Sequence, residues 1–184
     1  MIEPENILHF WFSEKGPEFW WKKSDAFDAE IRERFEMDAV HIASRMTNPP
    51  HHWEARANHA LALIILLDQF PRNMYRDTPA AFAWDDYALG VAQRVIDKNW
   101  DESFPLIQRQ FAYMPFMHSE NIADQDTCVS LVGSRLDNEN TLFHAQKHRD
   151  MIAKFNRFPH RNAILGRENS PEEQNYLDDG GYTP

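Results

Sequence analysis

Three short stretches recur at a fixed interval, and this spacing most constrains the fold. They are Leu67-Asp-Gln-Phe-Pro-Arg-Asn73, Phe111-Ala-Tyr-Met-Pro-Phe-Met-His-Ser-Glu120 and Phe155-Asn-Arg-Phe-Pro-His-Arg-Asn-Ala-Ile-Leu-Gly-Arg167. Their prolines, Pro71, Pro115 and Pro159, are each 44 positions after the last. At the same offset Leu67, Phe111 and Phe155 correspond, as do Phe70, Met114 and Phe158. A helix-turn-helix unit of about 40–47 residues is the size of a HEAT-type repeat, and the tetratricopeptide unit is about 34. Stacked helical pairs set equivalent turns side by side. The three Pro-centred turns are therefore expected to cluster in space.

No segment alternates at period two, whereas helical spacing recurs along the chain. Ile7, Leu8, Trp11 and Phe12 follow Pro4 at helical intervals. Ser24 or Asp25 can cap a helix to about Met46, with Phe27, Ile31 and Phe35 on one face. Asn48 to His52 reads as a turn. Further helices are expected over 53–71, from Pro79 to Lys98, from Phe104 to Met117, from a Ser119 cap to Leu136, and over 140–155. Ser170-Pro-Glu-Glu173 carries the capping-box pattern with Pro at the first helical position. The expected fold is all-α: tetratricopeptide/HEAT-like stacked helical hairpins in a single superhelical domain over 1–178, with a mobile tail over 179–184. Phe19-Trp20-Trp21 reads as an aromatic plug of its core.

The formal net charge of -10 argues against a broad nucleic-acid surface, which needs a basic face. The longest apolar run, Ala60–Leu67, is too short to span a bilayer. Met-Ile-Glu-Pro-Glu-Asn lacks the cationic start of a secretory signal. Cys128 is alone, so an intrachain disulfide and a cysteine-based zinc cluster are excluded. A cytoplasmic protein without nucleic-acid or membrane partners is expected. Thirteen arginines against six lysines still allow a local basic pocket, and arginine binds carboxylate or phosphate bidentately.

Clustered turns would gather Asp68, Gln69, Arg72 and Asn73 from the first stretch, Tyr113, His118 and Glu120 from the second with Gln125 beyond it, and His160, Arg161, Asn162 and Arg167 from the third. Arg157 and His148 lie beside this last group. In one reading these guanidinium groups hold a small anionic ligand while His118, Glu120 or His160 moves a proton. In the competing reading the charges pair with one another and fix the packing of a scaffold that binds a protein or peptide partner. His144 beside Phe143, and Arg72 beside Asp68, favour that structural account. A metal site is not expected: His-x-Glu with a distant His-x3-His matches no strong zinc pattern. A Gly-x-Ser-x-Gly elbow and a Gly-rich phosphate loop are also missing. The residues name no cofactor and leave open whether the chain is an enzyme.

Phe10-Trp-Phe12, Leu66-Leu-Asp-Gln-Phe-Pro-Arg-Asn73, Pro115-Phe-Met-His-Ser-Glu120 and Arg157-Phe-Pro-His-Arg-Asn162 with Leu165-Gly-Arg167 carry a resemblance. Over nearly its whole length the chain resembles the bacterial domain-of-unknown-function family 924. That resemblance implies an all-helical, tetratricopeptide-like architecture and the location of a site, but no activity. Asn156 stands where the family is expected to carry glycine. If that position has a positive φ, asparagine is the next most tolerant residue.

Overall fold

Proline and short polar caps start most of the helices, and long aromatic side chains lock them together. The computed structural model describes residues 2–46 and 49–183. The expected turn therefore begins, at Asn48, outside the described residues, and the expected tail ends outside them at Pro184. Every regular element among the described residues is helical. In order they are α1 (Pro4–His9), α2 (Pro17–Trp20), α3 (Asp25–Ala43), α4 (Ala57–Ile64) and α5 (Phe70–Met74). They continue with α6 (Asp85–Asp97), α7 (Leu106–His118), α8 (Ile122–Arg135), α9 (Glu139–Phe155) and α10 (Pro171–Asp178). Short 3-10 turns occupy His52–Ala55, Pro79–Phe82, Trp100–Ser103 and Pro159–Arg161.

The caps follow the local sequence. Ser24 Oγ accepts from Phe27 N at 3.3 Å and starts α3. Asn121, rather than the expected Ser119, caps α8, because its Oδ1 reaches Ala123 N at 2.8 Å. Ser119 instead donates its hydroxyl to Asp124 at 2.7 Å. Ser170 and Glu173 close the capping box of α10. Each such cap satisfies backbone donors that the first helical turn leaves unpaired.

The expected helix over 53–71 is broken into four pieces. A 3-10 turn at His52–Ala55 precedes α4, and a π-helical turn at Ile65–Gln69 separates α4 from α5. There Phe70 N donates to Ile65 O, one residue farther back than in an α-helix. Pro71 accounts for this: in an uninterrupted α-helix its ring would meet the carbonyl of Leu67, and the wider turn moves that carbonyl away. The extra residue also advances the helical register, so Asp68 and Gln69 turn into the protein among buried neighbours.

The expectation of three Pro-centred turns fails for two of them. Pro71 opens α5, and Pro115 lies inside α7; only Pro159 starts a turn of its own. Pro115 costs α7 about 3 kcal/mol or more, yet the helix persists because every residue from Phe111 to Met117 is buried. The three stretches still meet, through the contacts given below.

An aromatic cluster holds the centre. Phe10 lies 4.8 Å from Phe35, which lies 4.8 Å from Phe70, and Trp11 packs edge-on against Phe111 at 5.8 Å. Around it α3 packs on α5, α4 packs on α6 and α7, and α7, α8 and α9 pack in succession. Of the expected aromatic plug, Trp20 is partly buried while Trp21 is 58% exposed. No helix among the described residues is long and apolar enough to cross a membrane.

Candidate functional site

A cavity of about 650 Å³ opens beside α5, between the C-terminal half of α7 and one face of α9. Its wall is divided by chemistry. Trp20, Trp21, Met114 and Met117 are apolar; Lys22, Lys23, Arg72 and Arg76 are cationic. Gln69, Asn73, Asn140, Thr141 and Tyr182 add polar groups, and three histidines, His118, His144 and His148, complete it. No carboxylate is among these lining residues, although the whole chain carries a net charge of -10.

Carboxylates lie immediately behind the wall. Asp68 is fully buried, and its Oδ1 accepts a hydrogen bond from His118 Nδ1 at 2.7 Å. Gln69 donates its side-chain amide to the other oxygen. Arg72 Nη1 lies 3.3 Å from the same Asp68 carboxylate and donates to the Asp68 carbonyl at 2.7 Å. Arg72 also grips Asp85 bidentately at 2.7 and 2.8 Å. Burial would raise the Asp68 carboxyl, but Arg72 and His118 outweigh it and hold it below its usual range.

Asp68 therefore fixes the state of His118. An ionised carboxylate only accepts, so Nδ1 carries the proton and Nε2 keeps its lone pair. Nε2 has no hydrogen-bond partner among the described residues. Burial, then repulsion from Arg72, pushes the imidazole below its usual pKa despite the attraction of Asp68. Near neutral pH the ring is an oriented, uncharged proton acceptor on a cavity wall. A carboxylate that orients a histidine base in this way is a recurring catalytic arrangement.

Arg161 stands behind this pair. Its side chain is buried, and its guanidinium is sandwiched between the rings of Phe82 and Phe158, 4.6 and 4.4 Å from their centroids. Nη1 donates to the carbonyl of His118, the last residue of α7, at 3.1 Å, and lies 3.8 Å from Asp85. Nε is buried without a partner. Burial, with Arg72 adding repulsion, lowers its pKa to about 10. Arg161 thus steadies the end of α7 rather than lining the cavity.

On the opposite wall His148 donates from Nδ1 to the His144 carbonyl at 2.8 Å. Burial lowers its pKa to about 3, so it too is neutral. The Tyr182 hydroxyl lies 2.8 Å from His144 Nδ1. The segment expected to be a mobile tail thus brings Tyr182 onto the cavity wall. His144, expected as a packed histidine, lines the cavity as well.

The remaining predicted site residues lie elsewhere, and all but His160 hydrogen-bond to protein partners. Arg167 grips Glu120 at 2.7 and 2.9 Å and donates to Asn162 at 2.8 Å. Glu120 also accepts from Phe158 N at 2.8 Å. Arg157 holds Glu173 through two bonds of 2.6 Å. Together these four fasten the loop after α9 to the start of α8 and to α10. The Tyr113 hydroxyl donates to Asp101 at 2.6 Å, with Arg135 at 2.8 Å from the same oxygen. His160 packs 5.5 Å from Phe158 with Nδ1 buried and unpartnered, and burial lowers its pKa to about 4. Among the described residues no cluster of three or more His, Cys, Asp or Glu could hold a metal ion.

The structure thus joins Gln69, Arg72, His118 and His148 at one cavity, with Asp68 and Arg161 behind its wall. Asn73, expected beside Arg72, lines the cavity too. Sequence inspection read Trp20 and Trp21 as core only and did not single out Lys22, Lys23, Arg76 or Tyr182. Arg76 had one available signal, its four-residue spacing from Arg72. The others are brought in only by packing.

Comparison with known proteins agrees with this architecture. A solved structure of a protein of unknown function from Agrobacterium tumefaciens matches with a TM-score of 0.88 and 39% sequence identity, covering 96% of this chain and 97% of that one. Comparison with curated proteins gives no match. The profile of a family described as bacterial protein of unknown function (DUF924) matches residues 7–181, so the chain belongs to the DUF924 family.

Proposed function

We propose that the cavity binds a small anionic ligand and that His118 accepts a proton there. The observation that carries this is the pairing of an Asp68-oriented, neutral His118 with a lining of four cationic residues and no carboxylate. Spare donors support it. Arg76 spends Nε and Nη2 on Asp28 at 2.7 and 2.9 Å, leaving Nη1 without a partner among the described residues. The volume of about 650 Å³ lies within the range of small-molecule sites. Protonation of His118 Nε2 would give an imidazolium stabilised by the Asp68 carboxylate.

A second function, a scaffold for a protein or peptide partner, draws on a different observation. Arg157, Arg167 and Arg135 are all committed to carboxylates, and Trp21, Leu106 and Ile107 are exposed apolar residues. The succession of α7, α8 and α9 supports reading them as stacked hairpins of the tetratricopeptide/HEAT type in a single domain. Both functions are placed in the cytoplasm, as the sequence suggests.

A thermal-shift screen against anionic metabolites separates the two. A ligand present at a hundred times its Kd adds about 2.7 kcal/mol, a shift of roughly 5–11 °C for a domain of this size. A concentration-dependent shift in the wild type that is weakened by Arg76→Ala is expected. A flat response to every anion, with a bound peptide protecting Trp21, Leu106 and Ile107, would favour the scaffold.

A further inference from the structure

The cavity shares its aromatic wall with a second, apolar groove, and together they specify the ligand class. The groove, of about 320 Å³, is also lined by Trp20 and Trp21 and is completed by Pro17, Leu106, Ile107 and Leu136, with Gln110, Asp137 and Asn138 as its polar members. Trp20 and Trp21 line both spaces. The wall is built rather than incidental. Trp20 Nε1 donates to the Trp11 carbonyl at 3.0 Å, and its ring stands edge-on to Phe111 at 4.8 Å. Trp21 stacks on the same Phe111 with ring planes 3° apart and centroids 6.0 Å apart. Core contacts therefore hold Trp21 in place although it is 58% exposed. Beside it Leu106 and Ile107 are 52% and 48% exposed.

Resting on the anion-site function above, we infer that the ligand is a monocarboxylate with an extended apolar body. Its carboxylate sits in the basic cavity, and its apolar part runs over Trp21 into the groove. Charge gives the direction. The cationic side chains all belong to the cavity, whereas the groove's sole ionisable lining residue is Asp137, an anion that repels a carboxylate from that end. Lys22 has no carboxylate partner within 4 Å among the described residues, and Arg76 keeps Nη1 free to bond the head group. A small polyanion such as phosphate would use the cationic half and leave Trp21, Leu106 and Ile107 unused. An apolar body removes that surface from water, and burial of apolar area is the larger source of affinity for a ligand with one charge.

Isothermal titration of the full chain with octanoate, acetate, octanol and inorganic phosphate tests this, using the wild type and Trp21→Ala. Octanoate is expected to bind at least about tenfold more tightly than acetate or octanol, a difference of about 1.4 kcal/mol. Trp21→Ala is expected to weaken octanoate about fivefold or more without moving acetate. The exposure of Trp21 makes this variant compatible with folding, and circular dichroism verifies that. Phosphate or acetate binding as tightly as octanoate would overturn the ligand class while leaving the anion site standing. Equal binding of octanol would show that the basic edge reads no charge and would overturn both. Octanoate binding unaffected by Trp21→Ala would overturn the route over the wall. Failure of all four ligands to bind would remove the inference and the anion site together.

Discussion

At the scale of single residues, the chemistry of the cavity depends on how a few buried charges divide their partners. Asp68 and Asp85 face Arg72 and Arg161, so the cluster balances while His118 is neutral. Added positive charge on His118 meets Arg72 at once. A nitrogen-detected NMR spectrum near pH 7 should therefore show His118 with its proton on Nδ1 and a pKa below 6.5; Asp68→Asn should disturb that tautomer. The two acids and two bases are not equivalent in energy. Asp85→Ala strips the bidentate partner of Arg72 and the one carboxylate within 4 Å of Arg161 among the described residues. It should cost about 2–4 kcal/mol of stability. Arg161→Met removes a guanidinium that is desolvated and has an unpartnered Nε, keeps a long side chain between Phe82 and Phe158, and should cost only about 1–2 kcal/mol. Urea unfolding of the two variants checks the order, and the reverse order would mean that Arg161 anchors the cluster.

Individual elements explain why the site forms where it does. The π-helical turn at Ile65–Gln69 places Asp68 against His118 across to α7, and it follows from the clash that Pro71 would otherwise cause. At the end of α9, Asn156 has φ +56° and its N–H returns to Ile152 O. This is the left-handed position that glycine would adopt without strain. Asn156→Gly should leave stability within a few tenths of a kcal/mol, whereas Asn156→Ala should lose about 1 kcal/mol. Thermal melts of both distinguish a φ requirement from a lost side-chain contact, because the contact would be lost equally in each. The turn matters to the site because the next residues, Arg157 through Arg161, carry both the Glu173 clamp and the contact to His118.

For the whole molecule, the buried histidines set the response to acid. His148 and His160 have folded pKa values lowered to about 3 and about 4, each chiefly by burial. The unfolded chain binds those protons near pH 6.5. Stability from these groups is therefore complete above about pH 6.5 and declines as pH falls toward the folded values. Each such histidine steepens the decline by up to about 1.4 kcal/mol per pH unit. Urea midpoints measured between pH 7 and 5 should fall, and His148→Gln with His160→Gln should reduce that fall. An unchanged slope in the double variant would show that other groups bind the protons.

The all-helical class was legible in the sequence because the spacing of apolar residues, the prolines at helix starts and the Ser170–Glu173 cap are local properties. The meeting of the three recurring stretches was legible too, since Asp68, His118 and Arg161 do come together. Their geometry was not. Whether Pro71 and Pro115 end a helix or are tolerated within one depends on how much packing surrounds them, and that is a long-range quantity. The same reason separates the arginines. Arg157 and Arg167 look like Arg161 in sequence, yet Glu173 and Glu120 engage the first two, whereas Arg161 is left between two phenyl rings. Local sequence thus determined which segments coil and where they start. Tertiary packing alone decided which charges meet a partner and which side chains, Trp21, Arg76 and Tyr182 among them, line the cavity, because burial and pairing are settled between residues far apart in the chain.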